Sequence, residues 1–184
     1  MITLRKATPR DAEFLSTIVI MALGEDYASC LNNAQQMQST VSVCRQEDTL
    51  YSWRNAWIAE RDGELAGAII GYDGERYSQM RQTTFSRLQD VISEDVMQMQ
   101  EETQAGEFYL DSLAVLPPFR GQGIGKQLLL HAIKELTAEK NQAVTLVVLP
   151  DNPARKLYES IGFHPEKEMF LFGENYLRCR YLPV

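Results

Sequence analysis

The stretch from Arg120 to Lys126, RGQGIGK, places three glycines in seven residues with a base at each end. It follows the apolar run EFYLDSLAVLP and precedes QLLLHAIKELTAEK, where Leu128, Leu129, Ala132, Ile133 and Leu136 recur at helical spacing. A strand that passes into a helix through so bare a backbone constrains the fold more than any other feature of the chain. Gly121, Gly123 and Gly125 remove side chains from the turn, so that backbone N–H groups can meet what approaches it. The N-terminus of the following helix adds fixed positive charge. The expected visitor is an anion, either phosphate or pyrophosphate. The competing reading is a plain tight turn, but such turns seldom need three glycines between Arg and Lys.

The surrounding chain bounds the alternatives. Its 184 residues suit a single domain, 1–184, and 45% hydrophobic content supports a real core. A net charge of −7 argues against general nucleic-acid binding, which needs a basic face. It suits a cationic substrate, and equally it is ordinary solubility. Cys30, Cys44 and Cys179 have no CxxC spacing, and His131 and His164 have no neighbouring ligand partner, so reduced thiols and no metal site are expected. The N-terminal MITLRKATPRDAEFL lacks the apolar core of a secretory signal, and no run reaches the roughly 20 apolar residues of a membrane span. A cytoplasmic protein with no membrane partner is the expectation.

Along the chain, ITLRKA reads as a strand, and TPRDAEFLSTIVIMAL as a helix with Pro9 near its start. A second helix is expected within NNAQQMQSTVSVCRQED. NAWIAERDGELAGAIIGYD reads as a hairpin turning at Asp62-Gly63. Between Gly74 and Gly106, the residues Phe85, Leu88, Val91, Ile92, Val96 and Met99 step by three and four. This predicts one amphipathic helix, packed on the core or, less simply, on a second copy of the chain as a homodimer. AVTLVVLP is apolar throughout and belongs inside the sheet. Asn152 caps a helix beginning at Pro153 and closed by Gly162, and EMFLFG and NYLRCRYL end the chain as strands. The order β-α-α-β-β-α-β-α-β-α-β-β gives an α/β domain.

Two phosphate-binding motifs fail. A P-loop requires Gly-x-x-x-x-Gly-Lys-Ser/Thr, but Lys126 is followed by Gln127, and Arg120 stands where the first glycine belongs. A dinucleotide fingerprint counted from Gly121 finds Lys126 at its third glycine. LAVLPPFRGQGIGKQLL instead resembles the acyl-CoA-binding motif of the GNAT N-acetyltransferase superfamily, Arg/Gln-x-x-Gly-x-Gly/Ala, with Arg120, Gly123 and Gly125 in its fixed positions. LPDNPARKLYESIGF resembles the second segment of that family, at the expected distance.

The resemblance covers nearly the whole chain. It implies the GNAT fold, a mixed central sheet of about seven strands flanked by helices. It also implies acetyl-CoA as cosubstrate, an amine acceptor (small molecule or protein), and no metal. By the same resemblance Arg120, Gly121, Gln122, Gly123, Ile124 and Gly125 offer N–H groups to the pyrophosphate. Leu113, Ala114 and Val115 pair with the pantetheine arm, while Asn152 and Tyr158 border the cofactor. A catalytically silent acyl-CoA sensor of the same fold is the alternative.

Attack of an amine on a thioester sets three tasks: deprotonating the amine, holding the oxyanion and protonating sulfur. A tyrosine with pKa near 10 can donate to a thiolate whose thiol has pKa near 8.5, and Tyr158 matches the family's helix tyrosine. For the oxyanion, the backbone N–H groups of Leu113 and Val115 are candidates. Many relatives carry a base Glu where this chain has Tyr109. Asp111 and Glu107 share a strand face with Tyr109 by period two; Asp111 is the chosen base, and Glu107 is expected to be solvated. Glu25, Asp26 and Tyr27, at the end of the first helix, are weaker candidates for meeting a cationic amine.

Overall fold

A computed structural model describes residues 1–183. Its framework is a seven-stranded sheet in the order β1-β2-β3-β4-β5-β7-β6. The strands are β1 (Ile2–Lys6), β2 (Ala56–Arg61), β3 (Glu64–Asp73), β4 (Glu107–Val115), β5 (Ala143–Val148), β6 (His164–Leu171) and β7 (Glu174–Tyr181). Only β4 and β5 pair in parallel; the other neighbours are antiparallel. The β2–β3 hairpin turns at Asp62-Gly63, where both residues have positive φ, as a two-residue turn of this twist requires.

Helices cover both faces. On one side lie α1 (Ala12–Leu23), α2 (Ala34–Arg45) and α3 (Tyr77–Arg87), packed around Leu15, Ile18, Val43, Ile58 and Ile70. On the other, α5 (Ile124–Thr137) buries Leu128, Leu129, Ala132 and Ile133 against Ile69, Leu110 and Leu146. At about 1.5–3 kcal/mol for each large apolar side chain, that face holds α5 in place. α6 (Ala154–Ile161) lays Leu157, Tyr158 and Ile161 on the same core. The Asn152 side chain accepts the Ala154 N–H at 2.9 Å, so Asn152 serves the helix start although Pro153, not Asn152, is the cap position.

The segment between β3 and β4 departs from the single expected helix. α3 ends at Arg87, and a short α4 (Glu94–Gln98) follows after a turn. The break is tertiary in origin. The Asp90 carbonyl accepts from Gln36 Nε2 at 2.6 Å and its carboxylate from Ser39 Oγ at 2.9 Å, so α2 pins the turn. Phe85, Leu88, Ile92 and Val96 are nonetheless buried in the chain's own core, with Val91 and Met99 packed against it. The stripe is thereby occupied within one chain and no longer argues for a homodimer.

The middle of the sheet opens. β4 and β5 pair only at Glu107–Ala143, Phe108–Val144 and Tyr109–Thr145, while β5 continues along β7 to Val148. At the same place β4 carries a bulge: Gly71 faces Leu110 and Ile70 faces Ser112, leaving Asp111 as the extra residue. A side chain at Gly71 would meet Leu110 Cδ2 at 2.8 Å and the Tyr109 carbonyl at 3.1 Å, so glycine is required opposite the bulge. One extra residue exchanges the faces of everything beyond it. Phe108 and Leu110 face the α5 side, but so do Leu113 and Val115, and Ala114 faces α1. Asp111 keeps the expected common face with Tyr109, both lining one chamber, and period two fails only at Ser112 beyond it.

Glu107 corrects a second expectation, that it would be solvated. It is 2% exposed, ion-paired to the equally buried Arg178, which also reaches Glu166, and its Oε1 accepts from Thr103 Oγ1 at 2.8 Å. This is a structural pair that joins β4 to β7. Glu107→Ala leaves the buried Arg178 with Glu166 alone and is expected to lower stability by about 3 kcal/mol, the low end for a broken buried pair, in urea denaturation. Replacing both partners by Met should recover most of that loss.

Candidate active site

The glycine loop follows a 3₁₀ turn, Pro117–Phe119, and leads into α5. Gly121 and Gly123 have φ of 74° and 76°, and a Cβ on either would point into open space. The glycines are thus needed for left-handed backbone, and the open side leaves the loop accessible. No side chain caps α5, so its first N–H groups point into that opening. Arg120 folds back to donate from Nε to the Val115 carbonyl at 3.0 Å, tying the loop to the end of β4. Gly125 sits against Val115 and Leu157, which places the loop beside α6 as well. An open glycine backbone at an uncapped helix N-terminus has the features of an anion site.

From the loop, the opening between β4 and β5 runs inward. Beyond Tyr109, among the described residues, no strand pairs with the β5-facing edge of β4, so Leu113, Ala114 and Val115 present backbone along a gap that an extended arm can fill. A small cavity of about 30 Å³ at its inner end is lined by Leu110, Asp111, Ser112, Leu129, Val147 and Tyr158. The Tyr158 ring packs edge-on to Phe163 with centroids 6.0 Å apart. Burial pushes its hydroxyl up to about 12, which keeps it a proton donor at neutral pH.

Asp111 lies at the junction. It also lines a second cavity, of about 90 Å³, whose apolar walls include Leu23, Tyr51, Phe85, Phe172 and Tyr176. Its Oδ2 accepts from Tyr72 OH at 2.5 Å and its Oδ1 from Ser112 Oγ at 2.9 Å. Burial raises its carboxyl above the usual range, opposed by those two hydroxyls.

The same chamber holds a residue that sequence reasoning missed. Glu102 is 9% exposed; its Oε1 accepts from Tyr109 OH and its Oε2 from Tyr77 OH, each at 3.1 Å. Burial first and the Asp111 charge second push it up to about 7, with the two tyrosines and Arg81 opposing. Tyr72, Tyr77 and Tyr109 pack mutually, with centroids 6.0–6.5 Å apart, between the two carboxyls. The one available signal was Tyr109 itself, a hydroxyl standing where the family pattern has a carboxylate.

Outside the chamber, and sharing Leu23, Val96, Phe172 and Tyr176 with it, runs a groove of about 1220 Å³. Glu25, Asp26, Asp95, Asp151 and Glu174 line it, with no lysine or arginine among the described residues. Glu25 and Asp26 belong to a 3₁₀ segment after α1, not to the end of the helix. Cys30, Cys44 and Cys179 are buried free thiols, and no helix among the described residues is long and apolar enough to cross a membrane.

A split parallel pair, a glycine cradle at one end and a carboxylate-lined chamber at the other describe an acyl-transfer fold. The chain matches the acetyltransferase (GNAT) family profile over residues 21–163 and belongs to that family. It is 30% identical over 127 residues to the [ribosomal protein bS18]-alanine N-acetyltransferase of Salmonella typhimurium, covering 68% of this chain and 81% of that protein. A solved structure titled only as an acetyltransferase shares 30% identity with a TM-score of 0.76, covering 98% of both chains. The fold is also that of an N-acetyltransferase from Staphylococcus aureus Mu50, with a TM-score of 0.81 at 19% identity over 97% of this chain and 100% of that one.

The Glu102 environment predicts a pH dependence of stability. The folded carboxyl, at about 7, lies above its ordinary 4.5. Its contribution is therefore fully present below pH 4.5 and is lost as pH rises through 7, where the buried group ionises. Glu102→Gln cannot ionise, so its Tm relative to wild type should rise between pH 5 and pH 8. A constant difference would identify an ordinary, solvated carboxylate.

Proposed function

We propose that this chain transfers an acetyl group from acetyl-CoA to a primary amine by direct attack, with Tyr158 as the acid at sulfur and Asp111 as a base. The observation that carries the reading is the position of Asp111. It is common to the cavity it shares with Tyr158 and to the chamber that opens on the acidic groove. Acetyl-CoA supplies the activated acyl group. Arg120 to Gly125 would hold its diphosphate and Leu113, Ala114 and Val115 its arm. The backbone N–H of Leu113 or Val115 serves the oxyanion, and Asn152 and Tyr158 border the cofactor.

The acceptor amine reaches Asp111 through the aromatic chamber. An α-amine, with pKa near 8, is roughly 10% neutral at pH 7, whereas a lysine-like amine is only about 0.04% neutral. A built-in base matters in both cases and more in the second. The Salmonella relative, named for an alanine of a ribosomal protein, supports a protein amine as acceptor, and a long groove beside the chamber suits a chain better than a compact amine. The alternative, a silent acyl-CoA sensor, leaves two buried carboxyls in the chamber without a task. A panel of peptide and small amines assayed for CoA-thiol release tests the reading. Stabilisation by CoA without thiol release from any amine would favour the sensor.

Two substitutions probe the parts separately. Gly123→Glu places a side chain on left-handed backbone and a negative charge beside the phosphates. The rise in Tm on adding CoA should disappear, and a retained shift would remove the loop from the site. Tyr158→Phe keeps the packed ring and deletes one donor, so kcat should fall about 10²–10⁴-fold with CoA affinity nearly unchanged. A kcat within a few-fold of wild type would assign Tyr158 to packing.

A further inference from the structure

Turning an ammonium into an amide takes two protons off nitrogen, and only one of them ends on sulfur. Asp111 can hold one at a time. The chamber in which the nitrogen would sit contains a second buried carboxyl, Glu102, and no lysine or arginine lines it among the described residues. Tyr109, on β4, occupies the place of the base Glu expected from the family pattern, and its hydroxyl ends on Glu102 Oε1 at 3.1 Å. The carboxylate missing from the strand is thus replaced by one from the loop before it.

We propose that Glu102 takes the proton of the entering ammonium, while Asp111 takes the one released as the tetrahedral adduct collapses. This rests on the acetyltransferase reading. In the first step the ammonium becomes a free amine and Glu102 a carboxylic acid. The nitrogen lone pair then forms the C–N bond at the thioester carbon, and the C–S bond breaks with its electron pair on sulfur. Sulfur receives the Tyr158 hydroxyl proton. The second nitrogen proton passes to Asp111, which shares the inner cavity with Tyr158 and restores its hydroxyl. Glu102 releases its proton to solvent, so the products are amide, thiol and one proton.

The groups around Glu102 suit that role. Tyr77 on α3 and Tyr109 on β4 donate to it and remain protonated, because burial holds both hydroxyls above their ordinary value. Arg81 on α3 offers positive charge while donating to the Met99 carbonyl at 2.6 Å. Asp111, Tyr51, Tyr72 and Tyr176 face it within the chamber, and on its other side Glu101, Glu107, Glu166, Lys167, Arg178 and Arg180 line a separate opening. Because Asp111 raises Glu102 by its charge, a cationic nitrogen between them relieves the repulsion and is held until it is deprotonated.

The test is the pH profile of kcat/KM for wild type and Glu102→Gln, with an amine that wild type acetylates. Wild type should rise to a plateau above about pH 7. Glu102→Gln should lose about 10²–10⁴-fold at neutral pH. It should then recover tenfold per pH unit up to the pKa of the amine, near 8 for an α-amine and 10.4 for a lysine-like one, since only free amine reacts. A merely structural Glu102 lowers the profile equally at every pH, and parallel profiles overturn the proposal while leaving the acetyltransferase reading intact. Absence of thiol release by wild type with every amine overturns both. If Glu102→Gln fails to gain stability from CoA, Glu102→Asp decides: a shifted acid limb supports the role, and an unshifted one overturns it.

Discussion

A strand edge left unpaired inside a sheet is expensive, since each lost backbone hydrogen bond forfeits about 1 kcal/mol net and a desolvated orphan costs about 1–3 kcal/mol. This chain accepts that cost between β4 and β5, where pairing stops after Tyr109–Thr145. The surrounding structure maintains the separation. The bulge at Asp111 twists β4 away, and Gly71 yields space for it. β5 is secured instead by antiparallel pairing with β7 from Val144 to Val148. The Arg178–Glu107 pair clamps β4 and β7 just before the strands part. An extended arm would pair with such an edge, which is why the proposed cosubstrate site is the unfinished part of the sheet.

The electrostatics of the chamber follow from the same geometry. Where β4 leaves β5, the bulge turns Asp111 into the junction, and the loop before β4 brings Glu102 to within reach of Tyr109. Two carboxyls in an aromatic enclosure cannot both ionise cheaply. Three tyrosine rings packed between them supply hydroxyl donors without adding charge. The groove outside is lined by carboxylates as well, so the same sign of charge continues to the surface.

Much of this was legible in the sequence where it has local causes. The glycine loop, the α5 stripe, the Asp62-Gly63 turn and the apolar β5 each follow from spacing within a dozen residues. The α3–α4 region shows the limit. Phe85, Leu88, Ile92 and Val96 face the core as their spacing requires, but the helix breaks because Gln36 and Ser39, some fifty positions away, hold Asp90. The bulge has no residue pattern of its own and reverses every later side chain of β4. Glu102 lies in the polar run QMQEETQAGE, where a carboxylate reads as solvated. Its burial depends on Tyr77, 25 residues before it, and Tyr109, 7 residues after it, and only the pairing of distant elements brings these together.

The chamber draws its walls from almost every part of the chain. Leu23 comes from α1, Tyr51 from the turn before β2, Phe85 from α3, Val147 from β5, and Phe172 and Tyr176 from the β6–β7 hairpin. That hairpin joins the sheet only through β7, which sits between β5 and β6. Until β7 docks on β5, the chamber lacks Phe172 and Tyr176 and stands open to water, and carboxyls in water return to ordinary acidity. The unusual proton affinities are therefore a property of the assembled sheet and of no fragment of it. A partly folded chain that already presents the glycine loop still lacks the enclosure that raises these carboxyls. The glycine loop is built from neighbouring residues and can form early, whereas the enclosed chamber exists only in the completed sheet.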